Sequence, residues 1–319
     1  MPYVFDPNDA HIKQALTNIS VSYRNDETIY QDVLPIVDVE KMSDFYYVWN
    51  DEVDYNQTSD VMSATGRPNR IQLQFSTDLY ACRPYGLMAE LPVATLENAD
   101  DPLRPLGKAT ENVRTQLDNN QEVRAAALVF NNASYAAGFK QTLSGTSQWS
   151  DYTNSDPITN FLLAIDTCIM RPNTMVIGAD AWRALRQHPK ILAAAFPLGG
   201  NAANRGMLSS TALQALLADE GIKKVLIGRR RVNTANPGAA APTYSRAWGK
   251  HCAFIYVPDS PGLDTPAFGY TFSSLRSNIT RDQAVLHGSR GVEYVKEAWE
   301  VDLKITAPKA GYYYENCVA

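Results

Sequence analysis

The stretch MVIGADAWRALRQHPKI, residues 175–191, reads as a short apolar strand, a glycine and a helix. A nucleotide-binding βα unit begins in the same way, but a dinucleotide site needs the pattern GxGxxG so that backbone amides can approach a pyrophosphate. Here Gly178 stands alone, and Asp180 places negative charge at the helix N-terminus, where an anion would otherwise sit. The stretch therefore predicts a structural unit whose helix is opened and capped by Asp180.

Other candidates for chemistry are weaker. The glycine-rich stretch PLGGNAANRGMLSS, residues 197–210, has no lysine after Gly206 and so lacks the P-loop pattern; its serines are expected to cap the next helix. No HxxxH or HExxH pattern includes the four histidines, which are His11, His188, His251 and His287. A Cys–His pair assembled from distant segments stays open, although His251 and Cys252 are adjacent and should face opposite sides of a strand. The sequence thus predicts no catalytic, cofactor or metal site.

The composition is that of an ordinary folded protein, with 319 residues of which 45% are hydrophobic and 20% charged. Its formal net charge of -5 argues against a protein whose main function is to bind nucleic acid tightly. The basic cluster Arg229-Arg230-Arg231 follows the strand pattern KKVLIG and is typical of a solvated edge or an interface contact. No run approaches the roughly 20 apolar residues of a membrane helix. The four cysteines are widely spaced, which favours reduced, buried thiols of a cytosolic protein.

The first half of the chain is expected to contain extended segments that pack on a partner. Residues 1–43 show no sustained period and are expected to form an extended arm. DFYYVW, residues 44–49, and the alternating RIQLQFSTDLY, residues 70–80, predict two strands. A compact domain rarely needs the long polar span between them, so we expect a projecting hairpin with an external partner. A long helix should follow Asp101-Pro102, with a thin apolar stripe interrupted by Gln121.

The second half alternates between strands and helices. Asp156-Pro157 predicts the start of an amphipathic helix, PITNFLLAIDTCIM, and TMVIG, KKVLIG and HCAFIYV predict strands around the helix STALQALLADEG. Alternation of this kind indicates an α/β domain. The segments EAWEVDLKI and YYYENCV predict closing strands, so the chain as a whole is expected to be of the α+β class.

Six stretches together resemble the major capsid proteins of tailed bacteriophages with the Hong Kong ninety-seven type fold. They are TNISVSYRND (17–26), SGTSQWSDYTNSDP (144–157), PNTMVIGADAWRALRQHPKI (172–191), KKVLIGRRRVNTA (223–235), SRAWGKHCAFIY (245–256) and AGYYYENCV (310–318). The resemblance implies an N-terminal arm (1–43), an extended β-hairpin loop (44–92), a peripheral domain with a long spine helix (93–150), an α/β axial domain (151–286) and C-terminal strands of the peripheral domain (287–319).

The function implied by the resemblance is assembly into pentamers and hexamers of an icosahedral shell around double-stranded DNA. Expected partners are other copies, a portal, separate scaffolding and decoration proteins, and packaged DNA in non-specific contact; the expected location is the virion, after assembly in the host cytoplasm. We expect no cofactor and no enzymatic activity. The residues expected to contact neighbouring subunits are Tyr23, Arg24, Gln57, Arg67, Arg70, Arg229, Arg230 and Arg231.

One departure from some members of that family concerns cross-linking. Those members join their subunits by isopeptide bonds from a lysine on the extended loop, whereas no lysine occurs here between Lys41 and Lys108. We therefore expect a shell held together without covalent bonds. Two alternatives stay open, namely a nanocompartment shell protein that encloses enzyme cargo and an α/β enzyme with a nucleotide-type pocket near Gly178 or Gly206.

Overall fold

The computed structural model describes residues 28–48, 57, 59–62, 66–67, 69–70, 76–98, 105–196, 206–235, 241–263, 265–284 and 291–319, with the side chains of all but 276–278 and 281–284. Its helices are α1 (Tyr30–Val33), α2 (Val93–Glu97), α3 (Pro105–Val129), α4 (Pro157–Thr167), α5 (Ala179–Leu185), α6 (Pro189–Ala195) and α7 (Ser210–Leu217). Its strands are β1 (Ile36–Asp38), β2 (Ser43–Val48), β3 (Ser76–Ala81), β4 (Arg83–Pro92), β5 (Lys140–Thr142), β6 (Thr174–Gly178), β7 (Lys224–Gly228), β8 (Arg231–Asn233), β9 (Tyr244–Arg246), β10 (Cys252–Ile255), β11 (Gly269–Ala284), β12 (Val292–Ile305) and β13 (Gly311–Glu315).

A five-stranded sheet in the order β5-β13-β10-β6-β7 organises one part of the molecule. The β6–β7 and β13–β5 pairs are parallel, and β10 runs antiparallel to both of its neighbours. Met175 and Ile177 of β6 pack with helices α4 to α7, whereas Val176 between them packs on the other face. Because apolar side chains leave both faces of the strand, TMVIG is apolar throughout and does not alternate.

The helices beside this sheet begin where local chemistry predicts. Asp156 is the N-cap of α4, its side chain accepts a hydrogen bond from the amide of Thr159, and Pro157 occupies the first turn. Ser209 caps α7 in the same way, accepting from the amide of Ala212 at 3.1 Å. The predictions of a capped helix after Asp156 and of a serine cap before the next helix are both confirmed.

A four-stranded sheet in the order β1-β11-β12-β4 forms the second part. Its pairing differs from the sequence-based grouping of the chain into 151–286 and 287–319. Strand β11 pairs with β12, away from the five-stranded sheet, whereas β13 pairs with β10 and β5 inside that sheet. Sheet membership is decided by long-range pairing, and between β10 and β13 the chain crosses to the four-stranded sheet and back, so the grouping by sequence and the grouping by sheet differ for these two strands.

Helix α3 spans both sheets. At about 1.5 Å per residue its 25 residues reach roughly 37 Å. Val113 and Leu117 pack against Trp299 and Val301 of β12, and Ala125, Ala126 and Val129 pack in the cluster on the second face of the five-stranded sheet. The expectation that Gln121 interrupts the buried stripe was wrong, since Gln121 is 1% exposed. The buried face of α3 is wider than its apolar residues alone suggest, because polar side chains are also buried on it.

The predicted hairpin is present at its base. Strands β2 and β3 pair antiparallel from Ser43↔Ala81 to Val48↔Ser76, and the amide of Ala81 donates to Asp302 of β12. Most of residues 49–75 lies outside the described residues. The described part of the predicted arm, from residue 28 onward, packs on its own chain: β1 runs parallel to β11, and Val33 and Leu34 are fully buried.

Candidate functional site

The ends of the parallel strands β6 and β7 are where a nucleotide would approach a βα unit. A Cβ on Gly178 would lie 2.1 Å from the carbonyl oxygen of Gly249, and one on Gly228 would lie 2.2 Å from the ring of Trp248. The amide of Gly178 already donates to the carbonyl of His251 at 2.9 Å. The space that glycine leaves open for a phosphate in a nucleotide site is filled here by the chain itself. The structural interpretation of residues 175–191 is therefore supported.

Asp180 does not act as the helix cap that the sequence predicts. The N-cap residue of α5 is Gly178, no side chain caps the helix, and Asp180 lies in the first turn. Its carboxylate is 3.4 Å from Nε of Arg246 and 3.8 Å from a guanidinium nitrogen of Arg183. Asp180 therefore forms ion pairs with Arg183 on its own helix and with Arg246 on β9, near the ends of β6 and β7.

A buried carboxylate joins three parts of the chain. Glu122 of α3 has no exposed surface. Its oxygens accept hydrogen bonds from the amides of Ile29 and Tyr30 at 3.1 Å and from the indole Nε1 of Trp248 at 2.5 Å. Burial raises the pKa of the Glu122 carboxyl, while the hydrogen bonds from Trp248, Ile29 and Tyr30 act to lower it. The residue ties the N-terminal segment and the loop before β10 to the centre of the long helix.

A second buried network lies one turn earlier on α3. Arg114 contacts the carboxylates of Asp118 at 3.1 Å and Glu297 of β12 at 2.8 Å, and its guanidinium lies 5.2 Å from the centre of the Trp299 ring. Tyr30 donates to Asp118 at 3.1 Å. Charged partners satisfy one another away from water, which makes the geometry of this junction specific.

Sequence reasoning missed both networks. A signal was present: Asp118, Gln121 and Glu122 recur at helix spacing on the side of α3 that also carries Val113, Leu117 and Ala125. Polar residues within an apolar stripe can have either of two meanings: the stripe is interrupted there, or the polar side chains are buried and hydrogen-bonded. Their partners, from Ile29 to Trp248, are too distant in sequence for local patterns to predict.

The three consecutive arginines lie beside a fourth. Arg229, Arg230, Arg231 and Arg246, together with Ala179, line a solvent-open pocket of about 460 Å³ that we call the arginine pocket. Arg229 and Arg231 are exposed. Arg230, by contrast, is 6% exposed and donates to the side chain of Asn119 on α3. This hydrogen bond holds Arg230 against its own chain, and its expected role in contacts between subunits stays a prediction.

The other expected contact residues are only partly described. Gln57, Arg67 and Arg70 are exposed, and near them Asn69 donates to the carbonyl of Ser59 at 2.6 Å. Tyr23 and Arg24 lie outside the described residues. The structure does not bring Gln57, Arg67 and Arg70 together with the arginine pocket within one site.

One face of the β2–β3 hairpin is apolar and uncovered. Phe45 is 69% exposed, Tyr47 is 58% exposed and Leu79, which lies directly opposite Phe45 in the strand register, is 45% exposed. The other face is closed by Tyr46 and Tyr80, which pack with Phe272 of β11. A contiguous exposed apolar face is typical of an interaction surface.

The closest Ser–His contact among the described residues and the four cysteines of the chain are buried. Ser155 Oγ lies 3.0 Å from Nε2 of His188, but these residues are 2% and 0% exposed and the hydroxyl also donates to the carbonyl of Asp151. The four cysteines are free and buried, as expected. Cys252 packs with the helical side of its sheet, whereas the His251 ring contacts Phe130 and Tyr313 on the opposite side. This Ser–His pair has no access to a substrate.

The described residues show neither a metal-binding cluster nor a membrane-spanning helix. They contain no group of three or more His, Cys, Asp or Glu side chains arranged to hold a metal ion. Among the described helices, none combines the length and the apolar character that crossing a bilayer requires.

Known proteins similar to this chain were compared in sequence and in structure. No family model matches the chain. It is 35% identical over 323 residues to a major capsid protein of Pseudomonas phage JBD67, covering 100% of this chain and 98% of that protein. It is 28% identical over 272 residues to a major capsid protein of Burkholderia phage BcepMu, covering 82% of each.

Solved structures share the fold. A phage-related protein from Bordetella bronchiseptica RB50 superposes with a TM-score of 0.72 at 19% identity, covering 97% of this chain and 98% of that one. The capsid protein of the cyanophage P-SCSP1u superposes with a TM-score of 0.57 at 11% identity, covering 92% and 89%. The expected fold class, a mixture of helices and sheets of the capsid type, is confirmed by these likenesses.

Proposed function

Because the chain belongs to the major capsid proteins of bacteriophages, we propose that it assembles with copies of itself into the icosahedral shell around packaged double-stranded DNA, as pentamers and hexamers. The observation that carries this proposal is the 35% identity to such a protein along the whole chain. The comparisons favour neither of the two alternatives, a cargo-enclosing nanocompartment or an α/β enzyme.

The geometry of the described residues supports a structural role. Gly249 and Trp248 close the ends of β6 and β7, and the Ser155–His188 pair is buried. The uncovered apolar surface lies instead on the β2–β3 hairpin, where Phe45 and Leu79 face outward. A structural subunit of a shell needs an exposed surface that contacts other subunits, and it needs no reactive group that a substrate can reach.

The parts of the fold take roles in this proposal. Residues 1–43 form the arm and 44–92 the extended loop that reaches a neighbouring subunit. Helix α3 and strands β11 and β12 form the peripheral domain, and β1 of the arm and β4 of the loop segment pair with these strands in the four-stranded sheet. The five-stranded sheet, including β13, forms the axial domain with helices α4 to α7.

Contacts between copies hold the shell together. The residues proposed to make them are Tyr23, Arg24, Gln57, Arg67, Arg70, Arg229, Arg230 and Arg231. A single contact of about 4 kcal/mol holds a pair only at millimolar strength. Many such contacts in a closed shell make the whole durable, and each wrong contact stays reversible during assembly.

Further partners complete the proposal. A portal, a separate scaffolding protein and a decoration protein act with the shell, and packaged DNA touches its inner surface without sequence preference. Assembly takes place in the host bacterial cytoplasm, and the finished protein resides in the virion. The net charge of -5 agrees with a lining that does not grip DNA tightly.

Replacing residues 52–67 by a short Gly-Ser turn tests the role of the loop. The variant should remain folded and soluble, because β2 and β3 are still joined, but it should form no closed shells. Circular dichroism reports the fold and electron microscopy reports the shells. Normal shells from this variant would refute the assignment of the loop.

A further inference from the structure

The arginine pocket carries more positive charge than the described carboxylates near it neutralise, since Asp180 pairs with Arg246 and the buried Glu122 acts on Arg230. Among them, Asp180 supplies the one carboxylate within ion-pair distance of the pocket, 3.4 Å from Arg246. Arg230 is held by Asn119, a neutral amide. Arg229 and Arg231 have no carboxylate within 4.0 Å in the described part of the chain. Cations that share one space repel one another, so the pocket favours an anionic ligand.

The shape of the pocket limits the kind of anion. Guanidinium groups bind carboxylates and phosphates through paired hydrogen bonds. A double helix carries its phosphates on the outside of a wide cylinder, so it can touch the exposed rim of a pocket of about 460 Å³ but cannot fill it. Acidic side chains on a short peptide segment fit such a space. The geometry therefore favours protein carboxylates over duplex DNA.

This chain contains an acidic segment on its projecting hairpin. No Lys or Arg occurs between Lys41 and Arg67, whereas the same stretch holds Asp44, Asp51, Glu52, Asp54 and Asp60. Asp44 is already paired with Lys41 at 2.7 Å at the base of β2. The other four follow Val48, the last paired residue of β2, in the sequence, and among them Asp60 is the one that the structure describes.

We propose that the arginine pocket of one copy binds the acidic segment 51–60 of a neighbouring copy. The inference rests on the proposed function, because it needs copies placed side by side. It adds the ligand class, the carboxylates of a second copy, and a pocket residue, Arg246, that the sequence did not single out. Arg230, fixed by Asn119, orients the pocket, and the exposed Arg229 and Arg231 engage the carboxylates.

Charge reversal on either side tests this pairing in the 319-residue chain. Arg229→Glu/Arg231→Glu and Glu52→Lys/Asp54→Lys should each raise the concentration needed for shell formation at least about tenfold. All four changes on one chain should restore that concentration to within about threefold of the original. The control Lys108→Glu/Lys140→Glu, which changes exposed lysines elsewhere and matches the charge change of the pocket variant, should have no effect.

Mixing the two double variants distinguishes a neighbour from the chain itself. If the contact joins two copies, a mixture of pocket variants and loop variants should assemble at a lower concentration than either variant needs alone. Failure of the four-change chain to recover, or of the mixture to co-assemble, overturns the proposal.

Two further outcomes are informative. Pocket-variant shells that form normally but retain less DNA would overturn the proposal and assign the pocket to nucleic acid. If the unaltered chain forms no shells under any condition, the proposed function itself fails. The two failures are therefore distinguishable by the behaviour of the unaltered chain.

Discussion

The indole Nε1 of Trp248 donates a hydrogen bond to the carboxylate of Glu122, 2.5 Å away, and both residues have no exposed surface. Glu122 lies on the long helix α3, and Trp248 packs over the ends of β6 and β7. The same carboxylate accepts from the amides of Ile29 and Tyr30. One side chain thus fixes the long helix relative to the five-stranded sheet and to the N-terminal segment.

Replacing Glu122 by glutamine should destabilise the unassembled subunit by about 1–3 kcal/mol, because an amide nitrogen would then face N–H donors that have no other acceptor. Denaturant unfolding measures this difference. Glu111→Gln, on the same helix and only half-buried, is the matched control and should change the unfolding free energy by less than about 0.5 kcal/mol. Equal losses of unfolding free energy at the two positions would show that the hydrogen bonds of Glu122 do not stabilise the fold.

Adding a methyl group at Gly228 should be costly. The Cβ of alanine would lie 2.2 Å from the Trp248 ring, which is fully buried and cannot move away. We expect Gly228→Ala to lose about 1–3 kcal/mol or more by overpacking. At Gly206 a Cβ meets nothing within 4 Å, so Gly206→Ala serves as the control. Thermal unfolding compares the two, and a Gly228 variant as stable as the control would contradict the close packing of the strand ends.

Acid should weaken the subunit through two histidines, the buried His188 and the half-buried His251. Burial lowers the pKa of His188 and of His251 below the ordinary value of 6.5. Since the folded-state pKa lies below the unfolded one, the unfolded chain takes up protons first as the pH falls. The stability that these groups contribute is present above about pH 6.5 and is lost as the pH falls toward the folded-state pKa.

The variant His188→Gln/His251→Asn isolates this effect. Both substitutions keep a hydrogen-bonding atom near the one used now, Nε2 of His188 toward Ser155 and Nδ1 of His251, which accepts from the amide of Asn316 at 3.1 Å. Unfolding free energies measured between about pH 7 and pH 5 should fall less steeply for the variant than for the original chain. Parallel pH profiles would refute the assignment to these histidines.

Shells of this protein should dissolve into single chains on denaturing gels. No lysine lies between Lys41 and Lys108, so the extended loop has no amine with which to form an isopeptide bond. The expected band is that of the 35.3 kDa subunit. Ladders of covalent multimers, resistant to heat and reducing agent, would contradict a non-covalent shell.

Local chemistry predicted the elements that depend on neighbouring residues. The cap at Asp156 and the apolar run that became β6 were read correctly because caps and buried strands leave short-range signals. The long strand β11 was not predicted, since its residues, GYTFSSLRSNITRDQA, lack a sustained apolar alternation and its partners β1 and β12 stabilise it from distant parts of the chain.

The candidate site, too, was predicted only as far as it depends on residues that are neighbours in sequence. The sequence singled out Arg229, Arg230 and Arg231, which are adjacent, but not Arg246, which the short β8–β9 pairing brings beside them. Nor does the sequence separate the exposed Arg231 from the buried Arg230, because burial there depends on Asn119 of α3. Contacts made across elements need the fold before they can be named.

Electron microscopy of the purified chain over a range of concentrations tests most directly whether this protein works by binding copies of itself. Closed, uniform shells that appear above a threshold concentration are the expected result. A single-subunit particle at every concentration, with or without scaffolding partners, would contradict the account.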